Sequence, residues 1–371
     1  MSHSTSPRRS AAAAGRRAEL AGPAAVPGVL GGPGTRAGLL ALALAAFVAF
    51  GVAFTNQLVL TIGFLTALYI CCAVAWNLFS GYSGYISLGH AVFFGSGAYA
   101  VGIACEHLQV TGNAIFALLP LAGAVAAVIA VPFGLVALRV RRHTFVVITI
   151  AIFFIFQLMA FDLNTLTNGT IGLDAPFLVW GPVAFDQRFY YIALALAVVT
   201  VGISWLVKGS RFGLQLRAIR DDEDRAASLG VRAMPVKLTA FVISGGLTGI
   251  AGAVWFYFIG QVFPQSGFDP IFDLTVALIA FLGGLGTISG PVIGAIIIMP
   301  IEQYLTSSIN DSYLSQILLG VLFLAVVLFL PNGLVPAVAS RVRSWLGTGT
   351  AAAAAVPGVA QPVAAAKGAQ E

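Results

Sequence analysis

The chain has 371 residues, 59% of them hydrophobic and 9% charged, with a formal net charge of +5 and a mean hydropathy of +0.95. A soluble domain carries roughly 25% charged residues, and one water-soluble core could not bury this much apolar surface. An ordinary soluble fold is excluded, and basic residues confined to short loops between apolar runs argue against a nucleic-acid partner.

Residues 1–36, rich in Ala, Gly, Pro and Arg without an apolar stripe, read as a disordered cytoplasmic tail. The charged stretch is too long for a signal peptide, and Ser6-Pro7-Arg8-Arg9 lacks the rest of a twin-arginine context, so the first apolar run acts as an uncleaved anchor. Segments of spanning length, about 20 mostly apolar residues, follow near 37–54, 58–79, 85–105, 114–138, 144–161, 189–207, 236–259, 271–286, 290–305 and 314–331. The last two before the final one are short and bounded by Gly, which admits broken, tilted or re-entrant helices. The predicted fold class is all-α: a polytopic integral membrane protein of about ten transmembrane helices, with both termini cytoplasmic. Its transmembrane domain covers 37–335, and 336–371 forms a second disordered tail.

Charge placement tests this topology. Of the 19 Lys and Arg, all but Arg188 fall on the cytoplasmic side, while Glu106, Asp162, Asp174, Asp186, Asp269 and Asp311 fall in outer loops. The longest outer loop, 162–188, is expected to fold against the helix tops and is too small to be an independent ligand-binding domain. Cys71, Cys72 and Cys105 lie in or beside apolar segments and offer neither metal spacing nor a disulfide framework.

Two Gly-rich stretches echo one another: Gly84-Tyr85-Ile86-Ser87 before Leu88-Gly89, and Gly286-Thr287-Ile288-Ser289 before Gly290. Gly-interrupted segments at matching places in two halves point to a translocation path. Gly81-Tyr82-Ser83-Gly84 followed by His90 also resembles an intramembrane serine protease motif. Seven residues of helix, however, would hold Ser83 and His90 about 10 Å apart. His90 and Glu302 are ionisable groups near bilayer depth, where such groups are costly. An ion-gradient-driven transporter would need intramembrane carboxylates, and Glu302 and Asp273 are the candidates. Asn77, Gln157 and Gln303 read as interhelical hydrogen-bond partners, and Ser244-Gly245-Gly246-Leu247-Thr248-Gly249 as a small-residue packing face.

The charged side chains concentrate in one island, 208–237. Asp221 or Asp222 is expected to cap a short helix whose first turn holds Glu223 and Asp224. That helix runs to Leu229 with Ala226, Ala227 and Leu229 as its apolar residues. Gly230 supplies a left-handed stop, and Pro235 suits the first turn of the next span. Upstream, Leu214, Leu216 and Ile219 are apolar anchors. Four consecutive acids disfavour a lipid-surface helix and favour docking on a protein. The chain has no Gly-x-x-x-x-Gly-Lys-Ser/Thr stretch, so it cannot cradle ATP phosphates itself.

The run Trp76-Asn77-Leu78-Phe79-Ser80-Gly81-Tyr82-Ser83-Gly84-Tyr85-Ile86-Ser87-Leu88-Gly89-His90-Ala91, continuing to Gly95-Ser96-Gly97-Ala98-Tyr99, resembles the signature of branched-chain amino acid ABC-importer permeases. So do Ser210–Arg220 with Ala226-Ala227-Ser228-Leu229-Gly230, the block Gly283–Ala295, and Phe329-Leu330-Pro331-Asn332-Gly333-Leu334. The resemblance spans about 60–335. It implies one of two permease subunits, usually a heterodimer, over two cytoplasmic ATPases, with an extracytoplasmic binding protein delivering the solute. The protein would lie in the bacterial inner membrane, bind no cofactor of its own and be no enzyme, ATP belonging to its partners. By carry-over, Arg217, Arg220, Asp221, Asp222, Glu223, Asp224, Ala226, Ala227 and Gly230 form the ATPase-coupling loop. Asn77, Gly81, Ser83, Gly84, Ser87, Gly89, His90, Gly95 and Gly97, with Gly283, Gly284, Gly286 and Gly290, are candidates for the path or gate. The chain departs from the family pattern in three places: Asp224-Arg225-Ala226 in the coupling loop, Phe154 where a glutamate would fall, and Thr167-Asn168-Gly169 for Thr-Gly-Gly. These departures leave leucine-type amino acids, urea or short amides, or another small solute as cargo.

Overall fold

In a computed structural model, the described residues are 47–308 except 55, 111 and 177–179, with isolated positions at 45 and between 314 and 334. Helix α1 (Gln57–Trp76) continues as a π-helical turn, Asn77–Gly81, and α2 spans His90–Leu108. A 3₁₀ turn, Gly112–Leu118, leads into α3 (Leu119–Ala137), followed by α4 (Arg142–Asp162) and the single turn α5 (Asn164–Thr167). A two-residue strand β1 (Leu173–Asp174) precedes α6 (Pro182–Gly209). The charged island folds as α7 (Arg211–Asp221) and α8 (Glu223–Ser228), and α9 (Ala233–Ile259) leads out of it. Strand β2 (Gln261–Val262), α10 (Pro264–Gly267), α11 (Pro270–Gly283) and α12 (Ser289–Ser308) complete the described chain.

Among the described residues, seven helices are long and apolar enough to cross a membrane. Eight of the predicted segments coincide with helices, the eighth being α12, which is not among those seven. The predicted spans 37–54 and 314–331 fall largely outside the described residues, as do the tails 1–36 and 336–371, although 47–53 are helical.

Burial separates an inner group of helices from an outer one. The apolar windows of α1, α2, α9 and α10–α11 are 61–72% buried, against 22–33% for α3, α4 and α6. The outer helices present Val147, Leu158, Trp205 and Leu206, each more than 60% exposed. Such faces are stable against lipid and unfavourable in water. Helix α9 lies at the centre, packed on α3, α2 and α1. Its small residues let it approach: a Cβ on Gly97 would collide with the backbone of Gly249, and one on Gly252 with that of Phe94.

The described fold is helical apart from one minimal antiparallel ladder, in which Leu173 pairs with Val262 and Asp174 with Gln261. Backbone groups of the 162–188 loop, folded onto the helix ends, need partners, and the segment after α9 supplies them. The third span begins at His90 rather than 85, because Tyr85–Gly89 is a non-helical passage. Asp186, expected in an outer loop, lies within α6 and is 3% exposed.

Candidate functional site

The first break begins where α1 loosens into its π turn, a local distortion frequent at functional sites. Buried non-helical backbone needs side-chain partners, and this stretch is rich in hydroxyls. Ser83 Oγ donates to the Phe79 carbonyl (2.7 Å), and the Ser87 N–H donates to Ser80 Oγ (3.3 Å). From outside the break, Thr149 Oγ1 accepts Leu88 N–H (3.2 Å), and Trp76 Nε1 donates to the Ser87 carbonyl (2.8 Å).

His90 closes this network. Its Nδ1 lies 3.1 Å from Ser87 Oγ and its Nε2 2.8 Å from Ser244 Oγ, while Ser244 donates to the Ala75 carbonyl at 2.6 Å. With the Ser244 proton thus used, Nε2 carries the ring proton and Nδ1 accepts from Ser87. Both partners of the ring are hydroxyls. Both nitrogens are engaged, which makes the ring a node joining α1, the break and α9. Ser83 bonds to Phe79 instead of His90, so no serine–histidine pair forms.

The second break, between α11 and α12, turns through Gly284 (φ 116°) and Gly286 (φ 76°). Thr287 Oγ1 donates to the Gly284 carbonyl (2.7 Å) and accepts the Gly290 N–H (3.0 Å). Gly283 and Gly290 touch so closely that a Cβ on either would overlap the other's backbone. The two breaks meet: fully buried Asn77 accepts from Gly286 N–H and donates to the Thr287 carbonyl, both at 2.8 Å. A Cβ on Gly89 would meet the Phe133 ring and the Thr149 carbonyl, and one on Gly95 the Gly267 carbonyl and the Phe268 ring.

The charged island is wired to both breaks. Arg220 donates to the Gly81 carbonyl (2.6 Å) and its side chain packs on Gly84 and Gly286, while Lys208 Nζ donates to the Gly286 carbonyl (3.3 Å). Arg142, from the start of α4, donates to the carbonyls of Ile219 (2.9 Å) and Arg220 (2.6 Å) at the end of α7. Tyr85 makes a short hydrogen bond to Glu223, which also pairs with Lys237 Nζ at 2.7 Å. Lys237 is 3% exposed and sits 4.3 Å from the Tyr85 ring centroid. Burial alone would raise the Glu223 carboxyl. Hydrogen bonds from Lys237 and Tyr85, with the charges of Lys237 and Arg142, outweigh it and hold the group below its ordinary 4.5.

Helix α8 starts where expected: Asp222 caps it by accepting Arg225 N–H (3.0 Å), and Gly230 (φ 88°) follows its end. Asp221 and Asp224 are exposed, Ala226 is buried and Ala227 exposed. Arg217 braces its own hairpin through the carbonyls of Lys208 and Gly213. Leu216 and Ile219 are buried anchors, but Leu214 is 58% exposed, because it points away from the bundle. Leu229 is 86% exposed at the tip. A solvent-open cavity of about 600 Å³ lies between α8 and the α3–α4 loop, lined by Tyr85, Arg139, Arg142, Glu223 and Lys237 among others.

Several of these residues escape sequence reasoning. Tyr85, Arg142 and Lys208 carry no local signal of their role, since any loop arginine or lysine satisfies the orientation rule. Lys237 left one clue, a lone cation set inside an apolar run.

The described chain is thus a bundle of apolar helices interrupted at two touching glycine breaks, with a charged helix pair set against both. Residues 58–327 match the family model described as "Branched-chain amino acid transport system / permease component". The chain belongs to this family. It is therefore a transport component rather than an enzyme. It is 26% identical over 301 residues to the high-affinity branched-chain amino acid transport system permease protein LivM of Escherichia coli K12, covering 73% of this chain and 68% of LivM. It is likewise 26% identical over 287 residues to LivH of the same system and organism, covering 73% of this chain and 92% of LivH. A shorter match, 29% over 143 residues, is to the autoinducer 2 import system permease protein LsrC of Salmonella paratyphi B, covering 38% of this chain and 40% of LsrC. No solved structure matches. In this permease Phe154 is 47% exposed on α4, and Asn168 adopts a left-handed conformation (φ 55°).

Proposed function

We propose that this permease subunit carries branched-chain amino acids inward across a bacterial inner membrane, driven by ATP hydrolysed on partner subunits. It works as a ten-span protein with both termini cytoplasmic, pairs with a second permease subunit and sits over two ATPases. An extracytoplasmic binding protein hands it the solute. The printed names of LivM and LivH support the solute class and the two-permease arrangement.

The coupling assignment rests chiefly on one observation: the island helices α7 and α8 bond directly to the first break, through Arg220 on Gly81 and Glu223 on Tyr85, and the Arg220 side chain also packs against Gly286 in the second. In this mechanism an ATPase grips the α7–α8 tip by Asp221, Asp224 and Leu229. When the ATPases close, α7–α8 shift as a unit, because Arg142 and Lys237 fasten them to α4 and α9. The shift pulls on Gly81–Gly84 and on Gly286, where backbone freed from helical bonding can change conformation at low cost. Productive transport then needs a site that holds solute less well when facing inward.

The test is co-purification with the ATPases, followed by ATPase assay and uptake with binding proteins loaded with leucine or with urea. Stimulation by the leucine-loaded protein and ATP-dependent leucine uptake are expected. Stimulation by the urea-loaded protein alone moves the chain to another solute, and uptake that survives ATP depletion but collapses with an uncoupler overturns the reading.

A further inference from the structure

The half of the bundle away from the charged island holds a third irregular stretch, 260–269, between α9 and α11. Gly260 sits at φ 84°, β2 pairs with β1, and α10 is a single turn. The stretch then dips among the helices. Gly267 and Phe268 lie against Gly95, and the Phe268 and Tyr99 rings stack with centroids 5.8 Å apart. Those α2 residues are about 13–20 Å inward from the helix end at Leu108. Phe268 is buried there, and its carbonyl, caught between two helices, needs a donor. That donor is Gln157 Nε2, at 2.6 Å.

Gln157 belongs to α4, which makes two further attachments to backbone. Arg142 donates to the Ile219 and Arg220 carbonyls of the island, and Thr149 accepts Leu88 N–H in the first break. Positions 142, 149 and 157 stand about two turns apart in succession, so the three side chains share one face of the helix. From Arg142 to Asp162 the helix contains neither Gly nor Pro, the usual sites of a kink. Its apolar window is 22% buried, the smallest share among the seven long apolar helices. A stiff helix that is loosely packed, yet bonded to the island and to two irregular segments, moves with them as one piece.

We propose that α4 is the connecting rod of the permease, with Arg142, Thr149 and Gln157 as positioning residues and Phe268 as a second gate that they hold in place. Displacing α7–α8 draws on the first break directly. Through α4 it also draws on the 260–269 stretch, about 22 Å further along the helix, so both ends of the path respond to one event. This rests on the permease reading above and adds to it a far gate and the means by which the ATPases reach it.

The experiment uses the complete complex in liposomes, with Cys71, Cys72 and Cys105 replaced by Ala and with Tyr99→Cys, against Phe268, as reporter. Its rate of reaction with an impermeant thiol reagent is measured without nucleotide and with the ATPases trapped by ATP and vanadate. Leucine taken up per ATP hydrolysed and melting temperature are recorded alongside. In the parent, trapping should change the reaction rate about fivefold or more. Gln157→Met keeps the length of the side chain and loses the donor. It should assemble with the ATPases, shrink the trapping effect to within about twofold, and lower leucine per ATP about two- to tenfold, the scale of one lost hydrogen bond. Arg142→Met should do the same from the other end of the rod. A bond that only packs the bundle would lower the melting temperature and leave the trapping effect intact, and that result overturns the proposal. So does a parent reporter that reacts at one rate in both states. Should one variant fail to assemble, the other decides alone by the same criterion; failure of both marks the bonds as structural and overturns the assignment. ATPases that do not co-purify with the parent would sink the permease reading itself, whereas co-purification with an unresponsive reporter sinks the rod alone. Should the parent take up no leucine, the solute assignment fails, while the reporter still scores the rod.

Discussion

At the scale of single residues, the pair Glu223–Lys237 shows how a charge can be kept at the edge of a membrane bundle. Lys237 is almost fully buried, yet it has a carboxylate, a phenol oxygen and an aromatic face around its ammonium. Replacing Lys237 with Met leaves Glu223 and Tyr85 without their shared donor and should cost about 1–3 kcal/mol, read as a lower melting temperature of the purified complex. The pH dependence follows from the depressed Glu223 carboxyl. A group whose folded value lies below its unfolded one contributes stability above the unfolded value and loses it as pH falls through the folded value. Melting temperature should therefore drop as pH is lowered through and below the ordinary 4.5, and Glu223→Gln should flatten that acid limb. A parallel acid limb in parent and variant would remove Glu223 from the account.

At the scale of elements, glycine positions that look alike in sequence behave differently in the fold. Gly97 on α2 abuts the Gly249 backbone of α9, so Gly97→Ala forces the helices apart and should destabilise by about 1–3 kcal/mol. Gly202 on α6 has nothing within 4 Å of an added Cβ and an ordinary helical conformation. Gly202→Ala should be neutral or stabilise by up to about 1 kcal/mol. Thermal denaturation of both variants in one detergent checks the contrast. The small-residue pattern around Gly245 and Gly249 was legible in sequence as a packing face, but not which helix would fill it, because spacing specifies a surface and not its partner. The two breaks were also legible as Gly-rich interruptions, the second more clearly than the first. The echo between them did not disclose that Asn77 joins them, since a lone Asn in an apolar run has many equivalent partners.

At the scale of the whole molecule, the proposed coupling depends on the polar tip formed by α7 and α8. Leu229 is the large apolar side chain most exposed there, and fully burying a leucine against a partner is worth about 1.5–3 kcal/mol. Leu229→Asp should leave membrane insertion intact and weaken ATPase association about tenfold or more, measured by co-purification over a range of ATPase concentrations. Sidedness is checked by single cysteines: Asp224→Cys should react with an impermeant thiol reagent only from the cytoplasmic side, and Asn168→Cys only from the opposite side. Reaction of both from one side would refute the topology.

The order of apolar runs, the segregation of charge and the start of α8 at Asp222 were set by the sequence alone, because each depends on hydropathy, on net local charge or on contacts within one turn. Tertiary structure decided the rest: that His90 is a saturated node, that Asp273 on α11 accepts a backbone N–H of α2, and that Arg220 touches both breaks. Those facts join residues some 140 to 210 positions apart. No local rule reaches that far, since a buried polar group finds its partner only when packing brings one within bonding distance.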